Sequence, residues 1–274
     1  RKGGIWIGTY GGGLSRYDRK TNTFRTYVHS DSVPGSLGGT GVWSLHEDHK
    51  GNLWVGTSKG GLDRFDREIE TFTHHRSDPS DSRTISNEDV LCLLEDRRGD
   101  LWAGTMNGLN RLDHVTGTFQ RYFEKDGLPN SYINGILEDD QGNLWISTVK
   151  GISRYDPQQN VFRNFDQSDG LQGNEFNTGA YAKDHRTGEV YFGGMNGFNL
   201  FHPDKVTNNP FVPPVVFTAF IRYNTDDEEG KPIVDKGISA KSGIALTYKN
   251  NVVSFEFAAL NYYNTFKNLY TYKL

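Results

Sequence analysis

The chain has 274 residues, a length for one large or two medium domains, and combines 32 Gly, 17 Phe, 14 Tyr and 5 Trp with only eight Ala, a mix that disfavours a helical protein. Thirty Lys and Arg against 34 Asp and Glu give a formal charge of −4 with no basic stripe, which argues against a nucleic-acid partner. The longest apolar stretch, 215–221, is far short of the ~20 residues of a membrane helix, and a single cysteine, Cys92, excludes an internal disulfide or a cysteine-rich metal site. The first residue is Arg1, with no initiator Met or signal-like segment, so the chain is expected to start inside something larger.

From the N-terminus onward one motif recurs. Gly4-Ile5-Trp6-Ile7-Gly8-Thr9, Asn52-Leu53-Trp54-Val55-Gly56-Thr57, Asp100-Leu101-Trp102-Ala103-Gly104-Thr105 and Asn143-Leu144-Trp145-Ile146-Ser147-Thr148 are four copies, and Glu189-Val190-Tyr191-Phe192-Gly193-Gly194 is a fainter fifth. The spacings of 48, 48, 43 and 46 residues belong to propeller blades or two-helix solenoids. Within each copy, apolar runs of four to six residues alternate with turn signals: in the second unit 42–46, a Gly51-Asn52 turn, 53–57, a Gly60-Gly61 turn, 62–66 and 71–74. Four short strands per ~45 residues predict a β-propeller blade. Most of the glycine excess is thereby assigned to tight turns that need positive φ. The recurring Trp is expected to pack between neighbouring blades, and Cys92, in the slot of Ser44 and Gly135, to be a small buried residue.

The repeats stop near Phe201-His202-Pro203-Asp204, and Asn208-Asn209-Pro210 with Pro213-Pro214 reads as a linker. Beyond it, strands are expected at 215–223, 244–248, 251–259 and 269–274, with an acidic loop at 226–230; Val253, Phe255, Phe257 and Ala259 alternate onto one face. The expected architecture is all-β: a propeller over 1–209, contributing four to five blades to a larger, seven-bladed ring, then part of an immunoglobulin-like β-sandwich over 210–274. The first unit begins at its second strand, so upstream sequence is expected to complete the ring.

The composite pattern Glu-Asp-x-x-Gly-Asn-Leu-Trp-[Val/Ile/Ala]-[Gly/Ser]-Thr, a Gly turn, then [Leu/Ile]-x-Arg-[Tyr/Phe/Leu]-Asp and a Thr-x-Thr-Phe-like strand, spans 47–72, 95–119 and 138–162. It closely resembles the two-component regulator propeller repeat. Leu246-Thr247-Tyr248-Lys249-Asn250-Asn251 through Tyr270-Thr271-Tyr272-Lys273-Leu274 resembles the triple-tyrosine domain that follows such propellers. The resemblance implies the periplasmic, extracytoplasmic sensor region of an inner-membrane two-component protein, often a hybrid histidine kinase. It also implies a carbohydrate fragment or other small-molecule ligand, a homodimer in the full-length protein, and a downstream membrane helix leading to the output module. The fifth unit departs from the pattern, with Leu200-Phe201-His202 where Arg-aromatic-Asp is expected.

Repetition separates scaffold from function. Asp48, Asp96 and Asp139 occupy one slot in every blade and are expected to support a turn; 139–143 lacks the alternating ligands of a calcium loop. Arg-aromatic-Asp, at 16–18, 64–66, 111–113 and 154–156, is likewise expected to support pairing or turns. Loops 28–41, 76–89, 123–132 and 166–178 should emerge on one face, the usual place for binding residues. The blade-specific residues there, Trp43, His75, Arg76, Tyr132, Asn134, Glu175 and Asn177, are the candidate ligand site, since aromatic platforms beside amide and charged groups suit a sugar. His74-His75 is a poor metal pair because strand neighbours point to opposite faces. No catalytic residue, metal or cofactor is expected. Glu88, Asp89, Asp126, Asp169 and Glu175 lie on the candidate face, but no pair suited to glycoside hydrolysis can be singled out. A protein-interaction scaffold is the alternative function, and a propeller hydrolase or lyase a third.

Overall fold

A computed structural model describes residues 4–207, 213–223, 231–241, 243–248, 250 and 252–260. The chain divides into two compact units, Arg1–Val206 and Thr207–Leu274.

In the first unit the short apolar runs form antiparallel meanders. Blade 1 has three strands, β1 (Gly4–Thr9), β2 (Gly13–Asp18) and β3 (Thr23–Tyr27). Blade 2 has four: β4 (Gly41–Glu47), β5 (Leu53–Ser58), β6 (Leu62–Asp66) and β7 (Thr71–His75). Blade 3 repeats them as β8 (Val90–Glu95), β9 (Leu101–Thr105), β10 (Gly108–Leu112) and β11 (Phe119–Tyr122). Blade 4 comprises β12 (Ile133–Glu138), β13 (Leu144–Thr148), β14 (Gly151–Asp156) and β15 (Val161–Phe165). Blade 5 stops at three, β16 (Phe176–Lys183), β17 (Val190–Gly194) and β18 (Gly197–Phe201). Blade 1 starts at the second strand of the pattern, as the sequence predicts. The first strands stand side by side, β4 against β8, β8 against β12 and β12 against β16. This is the all-β propeller architecture.

The recurring Trp ties the blades together. Trp54 packs with Ile85, Val90 and Leu112 of blade 3 and the loop before it. Trp102 joins Ile133, Ile146 and Tyr155 of blade 4, and Trp145 joins Phe176, Val190 and Phe192 of blade 5. Each indole removes a large apolar area from water at a seam between two twisted sheets.

Turn glycines are half the explanation of the glycine excess. Gly51, Gly99 and Gly142 at the first turn have φ of 84–86°, and Gly61, Gly108 and Gly151 at the second are also left-handed. Gly8, Gly56 and Gly104 are a second class, inside strands with ordinary φ. A Cβ on Gly104 would lie 2.4 Å from Cys92 Sγ and 2.5 Å from Ile133 Cγ2, so these positions are small because the next blade packs on them.

Among the described residues the second unit contains one sheet in the order β20-β19-β21, with β19 (Val215–Tyr223), β20 (Ile233–Lys236) and β21 (Val252–Ala259). The strand expected at 244–248 is instead irregular chain ending in a turn. Asn250 Oδ1 there accepts hydrogen bonds from the Thr247 amide and hydroxyl, a local alternative to a ladder. Strand β20 carries no sequence signal, because its apolar pair Ile233-Val234 is too short for a periodicity. On β21, Phe255 and Phe257 are 48% and 42% exposed, so among the described residues the alternating face is only half covered. The acidic loop at 226–230 and the stretch 269–274 lie wholly outside the described residues.

Candidate functional site

Strand polarity brings the predicted loops to one end of the blades, and backbone bonds fix them there. In blades 2, 3 and 4 the second turn donates to the residue two positions before the next blade: Gly61 N to Glu88 O, Gly108 N to Ser131 O and Gly151 N to Asn174 O, at 2.6–2.8 Å. These bonds tie each of those turns to the loop that leads into the next blade.

The repeated polar groups are scaffold. Asp48 Oδ2 accepts from Trp54 Nε1 at 2.9 Å and from Asn52 Nδ2 at 2.8 Å, and Oδ1 from the Asn52 amide. Asp96 and Asp139 hold Trp102 and Trp145 in the same way. Burial raises the Asp48 carboxyl, but hydrogen bonds from Asn52 and Trp54 outweigh it and hold the group below the ordinary carboxylate value. In Arg-aromatic-Asp, Asp18, Asp66, Asp113 and Asp156 each accept amides two and three residues on, closing the next turn. Backbone bonds from Lys20 and Thr21 lower the Asp18 pKa, and those from Val115 and Thr116 that of Asp113.

The candidate binding residues separate into three groups. Trp43 sits at a β-bulge between Val42 and Ser44, which turns its ring outward, 38% exposed. Its indole meets Tyr10, with centroids 5.1 Å apart at 54°. Tyr10 is in the second turn of blade 1 and is 77% exposed; a slot comparison singles it out, since the other blades have Ser58, Met106, Val149 and Met195 there. On blades 4 and 5, Tyr132 is half-buried while Glu175 and Asn177 are exposed. Asn134 is buried: its amide donates to Phe176 O at 2.7 Å and its carbonyl accepts from Thr178 Oγ1, so its polar capacity ties blade 4 to blade 5.

His75 and Arg76, at the end of β7, line one cavity of about 310 Å³ with Arg83 and Phe119. The His75 ring lies 5.8 Å from Trp54 and 5.5 Å from Phe119; burial, then the Arg64 and His74 charges, lowers its pKa. His74 points elsewhere, to Asp63 Oδ1 at 2.7 Å. Asp63 Oδ2 accepts the Gly38 amide at 2.6 Å, so this buried carboxylate anchors loop 28–41. Burial raises its pKa despite those bonds.

The carboxylates on this face also have local roles. Asp126 accepts the Phe123 amide, Asp169 the Asp166 amide and Asp89 the Ser58 hydroxyl. Among the described residues no cluster of three His, Cys, Asp or Glu suits a metal ion, and no helix is long and apolar enough to cross a membrane.

Comparison with known proteins bears on this arrangement. Residues 36–59, 84–107 and 127–150 match the two component regulator propeller family. A histidine kinase of Formosa agariphila is 32% identical over 103 residues, which is 37% of this chain and 7% of the relative. The extracellular domain of a hybrid two component system from B. thetaiotaomicron is similar over 94% of this chain and 34% of its own, with TM-score 0.68 and 28% identity. This chain thus spans about a third of that domain and a small part of the kinase. Virginiamycin B lyase from Staphylococcus aureus shares the fold, with TM-score 0.53 and 16% identity over 93% of this chain and 88% of the lyase. The three matched segments coincide with the turn-and-strand pattern that the Asp–Trp hydrogen bonds organise, and the chain carries two-component regulator propeller repeats.

Proposed function

We propose that this chain is part of the extracytoplasmic, periplasmic ligand-sensing region of a two-component signal transduction protein. Its loop face recognises a carbohydrate fragment, and the second unit relays the event, through a homodimer and a membrane helix outside this chain, to a histidine kinase or other output module. The regulator repeats and the likeness to an extracellular domain of a hybrid system support the sensing role. The exposed Tyr10–Trp43 pair carries the carbohydrate reading: two tilted rings held at a bulge offer an apolar platform on which a sugar ring stacks. Exposed Glu175 and Asn177 supply hydrogen-bonding groups on the same end of the blades.

Isothermal titration calorimetry of the intact sensor region against an oligosaccharide panel tests this reading. At least one glycan should bind, and Trp43→Ala with Tyr10→Ala should weaken it by about tenfold or more, equivalent to ~1.4 kcal/mol. Absence of binding to every glycan, together with crosslinking of Trp43-side loops to another protein, would replace it with the protein-interaction scaffold.

A further inference from the structure

The blade repeat provides an internal control for every seam. Between blades 1 and 2, Trp6 meets Phe65 at 5.1 Å and Tyr27 at 5.9 Å. Between blades 3 and 4, Trp102 meets Tyr155 at 5.7 Å and Tyr122 at 5.8 Å. Between blades 4 and 5, Trp145 meets Phe201 at 4.8 Å and Phe165 at 5.6 Å. In each case two further rings close the outer end of the seam around the indole. Side chains from the third turn add to two of these seams, Glu70 accepting from the Tyr27 hydroxyl and Asn160 from the Tyr155 hydroxyl.

At the seam between blades 2 and 3 the rings beside Trp54 are two imidazoles, His75 at 5.8 Å and His114 at 6.2 Å, and three slots are filled less fully. Leu112 stands in the place of Phe65, Tyr155 and Phe201; His75 in that of Tyr27, Tyr122 and Phe165; and Gly117 in that of Glu70 and Asn160. A shorter aliphatic, a smaller ring and an absent side chain leave a cavity of about 220 Å³ bordered by all three. Its apolar floor is Trp54 and Leu112, and its polar wall is Lys50, Arg64, His75 and His114, with no carboxylate in the lining. The cavity is smaller than the ~300–1,000 Å³ that encloses a drug-sized ligand, so it suits a single ring. Two permanent cations above an apolar floor select an anionic group on that ring, because a guanidinium and an ammonium both form charge-assisted hydrogen bonds with a carboxylate.

We propose that the outer seam between blades 2 and 3 is a binding site for a small ring bearing a carboxylate, with Trp54 and Leu112 against the ring and Arg64 and Lys50 on the anion. The site lies between blades at the cavity that Leu112 and Gly117 open, and it does not depend on the carbohydrate reading of the Tyr10–Trp43 platform. Two sources share the required chemistry, a uronic acid and an aromatic acid.

Calorimetric titration of the 274-residue chain with D-glucuronate and with benzoate, using D-glucose and benzyl alcohol as uncharged counterparts, tests the proposal. One of the two acids should bind at least tenfold more tightly than its neutral counterpart, and which one does identifies the source. Arg64→Gln, an exposed strand position, should weaken that binding about tenfold. Leu112→Tyr with Gly117→Asn, which rebuilds the filling found at the seam of blades 3 and 4, should abolish it. Failure of both acids to bind at about 20 mM overturns the proposal, as does binding that survives Arg64→Gln. Should the filled variant not fold, judged by circular dichroism, the Arg64→Gln titration decides alone.

Discussion

At the scale of single residues, burial sets the chemistry. Cys92 is fully buried between blades, and loss of solvation pushes its thiol up to about 12. It should therefore resist iodoacetamide at neutral pH in the folded chain and react promptly in denaturant, as read by mass spectrometry. Asp48 has the opposite displacement. Its folded pKa is below the ordinary value near 3.8, so the stabilisation it contributes is present above that value and is lost as pH falls through the folded one. Asp48→Ala leaves the buried Trp54 Nε1 without its acceptor and should cost about 1–3 kcal/mol at pH 7, measured by chemical denaturation. The difference between variant and parent should shrink below about pH 4 as the parent's carboxylate is protonated. The Asp and Trp of this cluster are legible because they recur at a fixed spacing; that they hydrogen-bond one another inside blades 2, 3 and 4 is a property of the folded structure.

At the scale of the strand, cross-strand pairing explains the small residues that a turn cannot. Ser44 pairs with Gly56, Cys92 with Gly104 and Gly135 with Ser147. The larger member changes strand in blade 4, yet each pair keeps a glycine, as close packing requires. Gly104→Ser should destabilise by about 1–3 kcal/mol through overpacking, and adding Cys92→Gly should recover part of the loss; thermal melts of the single and double variants measure both. The bulges that displace the first strands fall after Val42, Val90 and Ile133, and they decide the fate of equivalent positions. Trp43 emerges into solvent, whereas Leu91 and Asn134 are buried. Period-two alternation locates a strand but does not show which residue a bulge expels or what the neighbouring sheet covers. That is why Asn134, read as a ligand contact from its loop-end position, proves to have both polar ends occupied by blade 5.

At the scale of the whole molecule, the end of the blades opposite the loop face carries side-chain bridges between neighbours. His49 bonds Glu95, and Arg97 bonds Glu138 at 2.9 Å. At the next seam the signs invert, Asp140 meeting Lys183 at 2.7 Å. Lys183 is 11% exposed and also donates to Glu138 O, so Lys183→Glu would set like charges together and lose both bonds. The expected cost is about 1–3 kcal/mol, read from the thermal midpoint of the propeller unit. The sequence by itself determined the all-β class, the period, the strands of the blades and the turn chemistry, because these depend on local periodicity and on glycine's conformational freedom. Only the tertiary structure decided which seams are filled and which open, which aromatic side chains reach solvent, and where buried polar groups find partners. Those outcomes depend on residues about 40 positions apart competing for the same volume, and no single repeat contains that information.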